Sequence, residues 1–138
     1  MKRSPDGLGP IVALDRRLAT PLHRQLYAGY RDFARRLRRM RSIYADRRAA
    51  LEAALVRALG PTARLVGDRA GMHLVLELPR TDDRAIAVRA AAAGLSLTPL
   101  SSCFLRRPTR RGLVLGYGTT PVREIDAAVR RLAAQLAP

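Results

Sequence analysis

The sequence predicts an α+β fold in which a long helix precedes a small, mostly antiparallel sheet covered by helices. Three observations carry that prediction. Apolar residues at Leu26, Tyr30, Phe33, Leu37, Met40 and Tyr44, and again at Leu51 and Leu55 beyond an interruption at Arg47, step by four and three, which is the period of one helix face. At Gly60-Pro61 the period switches to the alternation of strands. From there the signals run strand, strand, helix, strand, strand, helix, an order that packs helices on an antiparallel sheet.

The elements follow in order. Residues 1–20 read as a flexible tether, with Pro5, Gly7, Gly9 and Pro10 punctuating a short apolar patch at Ile11 to Leu14. Thr20-Pro21 marks a helix start, Thr as N-cap and Pro at the first helical position, where its missing N–H is no loss. The helical pattern then runs to Gly60, roughly 58 Å at 1.5 Å per residue, so an interruption is expected near Gly29. Along the seam, residues from Phe33 onward are expected to be covered, while Leu22, Leu26, Tyr27 and Tyr30 project beyond the cover.

Ala63 to Val66 and Met72 to Leu78 form a hairpin, with Met72, Leu74, Leu76 and Leu78 on one face and His73, Val75 and Glu77 on the other. Asp82-Asp83 suits a helix N-terminus, and the alanine-rich helix that follows stops at Gly94. Leu95 to Leu100 reads as a strand, Ser101 to Gly112 as an exposed loop, and Gly112 to Tyr117 as the next strand. Thr120-Pro121 repeats the helix-start signal before a stripe of Val122, Ile125, Val129, Leu132 and Leu136.

At 138 residues and 48% hydrophobic composition the chain suits one compact domain and is not a disordered polymer. Its net charge of +15 is arginine charge, because Lys2 is the sole lysine among 26 basic residues. Such a surface attracts phosphate polyanions. An Arg- and Ala-rich composition also follows from codon bias and solvated helix faces, so charge alone assigns no ligand. The one cysteine, Cys103, has no intrachain partner, no apolar run spans a bilayer, and the basic start lacks an apolar signal region, so a cytoplasmic protein without a membrane partner is expected.

Four stretches in this order resemble the C-terminal small domain of fold-type-I pyridoxal-phosphate aminotransferases, as found in MocR-type (GntR-family) transcription regulators. They are Met40-Arg-Ser-Ile-Tyr-Ala-Asp-Arg-Arg-Ala-Ala-Leu51, Ala70-Gly-Met-His-Leu-Val-Leu-Glu-Leu-Pro79, Gly94-Leu-Ser-Leu-Thr-Pro-Leu100 and Gly112-Leu-Val-Leu-Gly-Tyr-Gly118. Ile11 to Arg31 resembles the opening of the winged-helix domain with which such regulators begin. The resemblance implies residues 21–32 as a remnant of the first winged-helix helix, residues 33–138 as an aminotransferase small-domain-like body, and an internal truncation between them. The family's large domain holds pyridoxal phosphate on a lysine amine. Here Lys2 is the only lysine, so no cofactor is expected in this chain and no residue is assigned as catalytic or cofactor-binding.

Aminotransferases clamp the substrate carboxylate with an arginine in the last strand of this domain, within a word like Ile-Arg-Leu-Ser-Phe. The matching word is Leu113 to Tyr117, which puts Val114 at the arginine's place and leaves Arg110 and Arg111 in the neighbouring loop, where solvation is the ordinary state. His73 shares a face with Glu77, whose pairing would tune it, though a structural role is the commoner one. His23 has no second ligand near it, Cys103 with Ser101 and Ser102 has no adjacent histidine, and Tyr117 between Gly116 and Gly118 is ordinarily packing, so no metal site is expected.

Three functions follow. One is a non-catalytic remnant of a MocR-type regulator, with a homo-oligomer through the long helix. Another is a basic module binding nucleic acid weakly and without sequence preference through Arg31, Arg35, Arg38, Arg39 and Arg41. The third is half of an aminotransferase, completed by a partner chain that supplies the large domain.

Overall fold

The computed structural model describes residues 21–61, 63–67 and 71–138, with side chains from residue 28 onward. The chain divides into two compact units, Met1–Arg39 and Met40–Pro138. The expected tether at residues 1–20, and with it Lys2, lies outside the described residues, as do the side chains of Leu22, His23, Leu26 and Tyr27.

Helix α1 (Pro21–Leu59, 39 residues) begins at the expected proline and gives residues to both units. It is not interrupted at Gly29, contrary to expectation. One glycine costs a helix only about 1 kcal/mol relative to alanine, too little to break a run of arginine, leucine and alanine. In the first unit Tyr30 and Phe33 are half exposed and Leu37 is 36% exposed. The expectation that the seam is covered from Phe33 onward is therefore corrected. Met40 and Ile43 are exposed too, and the first seam residue packed against the core is Tyr44.

The second unit is a four-stranded sheet under helices. Strands β1 (Arg64–Val66), β2 (His73–Glu77), β3 (Thr98–Pro99) and β4 (Gly112–Gly116) lie in the order β1-β2-β4-β3, and every pairing is antiparallel. Alternation decides which face is apolar. Leu74 lies opposite Leu115 and Leu76 opposite Leu113, so four leucines meet on one face. Against them pack Leu51, Ala54 and Leu55 of α1, Ile86 of α2 (Asp83–Ala92), and Ile125, Val129 and Leu132 of α3 (Val122–Leu136). Each such leucine contributes about 1.5–3 kcal/mol by leaving water. Arg57 of α1 donates to Asp126 of α3 at 2.8 Å, tying the two helices at the rim of that core.

Three details differ from expectation. The strand expected over Leu95 to Leu100 shrinks to Thr98–Pro99. The Leu95 N–H is taken by Ala90 O at 2.9 Å in the cap of α2, where Gly94 adopts φ +82°, so the chain reaches the sheet only at Thr98. Pro99 then offers no N–H to extend the ladder. The exposed loop expected from Ser101 begins instead as a 3₁₀ turn, Leu100–Cys103, with Ser101 buried. At α3 the N-cap is Pro121 without a side-chain cap bond, so Thr120 is not the cap.

Candidate functional site

Chemistry-bearing side chains of the second unit gather at the two ends of the β2–β4 ladder and at its middle. The register sets this arrangement, because Glu77 pairs with Gly112 at one end, Val75 with Val114 in the middle and His73 with Gly116 at the other.

In the middle, Val114 is half buried between Val75 and Thr98 on the neighbouring strands. A valine offers no donor to a carboxylate. Of the two loop arginines nearby, Arg110 is ion-paired to Glu77, and Arg111 donates Nη1 to Thr81 O at 3.2 Å. Both side chains are thereby held away from the Val114 position by partners of their own.

At the His73 end the pairing with Glu77 that a shared face would permit does not form. Glu77 is bound instead by Arg110 and, at 3.4 Å, by Arg64 Nε. Four residues along a strand place His73 and Glu77 on one face but roughly 13 Å apart, beyond a direct bond. Tyr117 is buried, donating its hydroxyl to Gly71 O and its N–H to Met72 O at 3.1 Å, while Arg47 donates to Gly118 O. It closes the end of the sheet as a packing residue. Cys103 is exposed, with only a weak contact from Sγ to Pro99 O at 3.8 Å.

The other end holds a group that the sequence reading treated only as helix-terminal charge. Asp82 caps α2, accepting from Ala85 N–H at 3.1 Å. That leaves Asp83 free to turn inward, and it is 1% exposed. Its Oδ2 accepts the N–H groups of Ser101 at 2.9 Å and Gly112 at 3.1 Å, and its Oδ1 accepts the Ser101 hydroxyl at 2.6 Å. Burial pushes this carboxyl up, but the Ser101 hydroxyl, the N–H groups of Ser101 and Gly112 and the charge of Arg111 outweigh it, so it lies below the usual carboxylate range. Saturated by fixed donors, Asp83 is a structural anion. The signal that could have found it is the doublet itself, since a helix needs one carboxylate at its cap and the second must find other donors.

Among the described residues no three metal-ligating side chains come together, and no helix is long and apolar enough to cross a membrane. The described residues contain no lysine, and Val114 stands in the middle of β4. The arginines expected to meet nucleic acid, Arg31, Arg35, Arg38, Arg39 and Arg41, all lie on the exposed surface of α1, with Arg41 falling in the second unit.

No protein-family model matches the chain. Over 86 residues, 62% of the chain, it is 37% identical to the probable rhizopine catabolism regulatory protein MocR of Rhizobium meliloti, of which it covers 17%. It is 29% identical over 109 residues to the uncharacterized HTH-type transcriptional regulator YhdI of Bacillus subtilis and 25% identical over 105 residues to YdeL of the same organism, covering 23% and 22% of them. The chain thus spans about a fifth of the length of these curated relatives. Among solved structures it is similar to an archaeal alanine:glyoxylate aminotransferase, with a TM-score of 0.60 and 22% identity over 67% of this chain and 23% of that one. Its homologues are MocR/GntR-type regulators, and its fold is aminotransferase-like.

Replacing Asp83 by Ala strands three buried donors, so a loss of at least about 2 kcal/mol of stability is expected at neutral pH. A carboxyl whose folded value is lowered gives stability that is complete above its unfolded value, about 3.9, and is lost as pH falls through the lower folded value. Chemical denaturation from pH 7 downward should therefore show a gap between native and variant proteins that is constant to about pH 4 and narrows below it. A gap that does not change with acid would contradict the assignment of Asp83 as a buried anion.

Proposed function

We propose that this chain, a relative of the MocR-type regulators with an aminotransferase-like fold, is a non-catalytic remnant of such a regulator residing in the cytoplasm. On this reading it keeps a small-domain-like body and the first helix of a winged-helix reader, and lacks the large domain, the cofactor lysine and most of the DNA-binding domain. The observation that carries the reading is the lysine count. Lys2 is the sole lysine among 26 basic residues, and an aldehyde cofactor held as an imine requires a lysine amine inside a fold. The valine at the position of the substrate-binding arginine supports it independently, since neither half of the chemistry has its residue.

The test is incubation with pyridoxal phosphate, borohydride reduction and peptide mass analysis. The expected result is no adduct beyond Lys2 and the terminal amine, and no transaminase turnover. An imine that survives dialysis in a Lys2→Ala variant with a blocked terminus, or any turnover, overturns the reading and favours an aminotransferase half completed by a partner chain.

A remnant would also present surface that a complete protein covers. On α1, Tyr30, Phe33 and Leu37 leave large apolar groups in water, and each forgoes roughly 1.5–3 kcal/mol of burial. A second copy packing seam to seam would recover part of it, against repulsion between arginines that salt screens within about 8 Å at physiological strength. A second reading of the same helix, weak nucleic-acid binding without sequence preference, is favoured by the exposure of Arg35, Arg38, Arg39 and Arg41. Sedimentation across a salt series, with and without duplex DNA, separates the two. Self-association should strengthen with salt and be abolished by Phe33→Asp, whereas DNA binding should weaken with salt at a logarithmic slope of about −0.9 per phosphate contacted. A monomer at every salt concentration excludes the homo-oligomer, and a sequence-specific footprint excludes the non-specific binder.

A further inference from the structure

Two cavities of the second unit differ in their chemistry. One, of about 310 Å³, is lined by core residues such as Leu51, Leu115 and Leu132 beside Thr119, Thr120 and Glu124, and its arginine, Arg131, donates to Ala93 O at 3.4 Å. The other, of about 440 Å³, lies at the Glu77 end of the sheet and is lined by four arginines, Arg64, Arg80, Arg110 and Arg111, around one carboxylate.

The strand register builds this second cavity. Arg64 of β1 pairs with Glu77 of β2, and Glu77 pairs with Gly112 of β4, so three adjacent strands end in one row. The row brings Arg64 to one side of Glu77 and the segment Arg110-Arg111 to the other. Close approach fixes the corner, since a Cβ on Gly112 would lie 2.2 Å from Leu76 O. The turn after β2 supplies the fourth arginine. Thr81 Oγ1 donates to Leu78 O at 2.6 Å, Leu78 N–H to Arg111 O at 3.0 Å, and Arg111 Nη1 to Thr81 O at 3.2 Å, so the turn and the loop are laced together. Within that lacing Arg80 is held at φ +70°, a conformation that an unbranched surface residue keeps only when its surroundings over-determine it.

Charge then decides what the cavity can take. Glu77, with its side chain 11% exposed, binds Arg64 and Arg110 and so holds two guanidinium groups at the rim in fixed positions. One carboxylate cannot neutralise four guanidinium groups. Arg80 is exposed among them, and Arg111 uses one donor of its five on Thr81. Guanidinium groups converging on a concave surface match the oxygens of a phosphate, which accepts several charge-assisted bonds at once.

We propose that this arginine-lined cavity is a binding site for a phosphate group, carried by a small phosphate ester or by a nucleic-acid backbone, with Glu77 positioning Arg64 and Arg110. The site is separate from the arginine face of α1 and independent of the remnant reading. Each of the two Glu77 oxygens takes one of those guanidinium groups, so the pair is framed by a single carboxylate.

The experiment titrates inorganic phosphate against chloride at matched ionic strength, followed by calorimetry and thermal melting, and repeats the titration with a short single-stranded oligonucleotide. Expected results are saturable phosphate binding, a loss of about tenfold in Arg64→Ala with Arg80→Ala, and no change in Arg123→Ala, which lies on α3 outside the cavity. Both arginines removed are exposed, so the variant retains its fold, and the melt verifies it. If oligonucleotide affinity falls with phosphate affinity in the double variant, the backbone is the source; if only phosphate affinity falls, a small phosphate ester is. No saturable phosphate binding, or an equal loss in Arg123→Ala, overturns the proposal.

Discussion

The folded body depends on one buried anion. Asp83 sits at the first turn of α2 and accepts N–H groups from the 3₁₀ turn and from the first residue of β4, so one side chain joins three segments that are 18 and 29 residues apart. A carboxylate inside a protein is tolerated only when its lone pairs are filled, and here backbone donors fill them. These donors also explain why Ser101 is buried although its sequence surroundings, Leu100-Ser-Ser-Cys103, read as a loop. With β4 fixed at Gly112, its pairing with β2 is fixed in register, and the four core leucines then face the helices.

The same register distributes the polar chemistry. It places Val114 between Val75 and Thr98, and it sends the arginines of the neighbouring loop to Glu77 and Thr81. Leucines and a saturated aspartate hold the fold. What positive charge the second unit concentrates lies at one sheet end, around a single glutamate.

Local patterns were legible in the sequence. The β2 alternation, the Ile125, Val129 and Leu132 stripe of α3 and the Gly94 stop of α2 each depend on residues within a few positions of one another, and each lies where the pattern puts it. Long-range partners were not. Glu77 shares a face with His73, but its partners come from β1 and from a loop 33 residues away. Asp83 reads in sequence as a helix-terminal charge, and its partners Ser101 and Gly112 converge on it only in the fold. The seam of α1 was readable as a seam, yet periodicity says which face is apolar and not what covers it. Exposure at Phe33, Leu37 and Met40 shows that cover begins later than the pattern suggested.

If the Asp83-anchored sheet and its helices are self-sufficient, the chain from Met40 onward should fold by itself. The direct measurement is thermal unfolding of a chain of residues 40–138 beside the full-length protein, at concentrations low enough to suppress association. A single cooperative transition within about 4–8 °C of the full-length midpoint, equivalent to roughly 1 kcal/mol, is the predicted result. Loss of the cooperative transition in the shorter chain would contradict the account, since it would mean that the first half of α1 is part of what holds the core together.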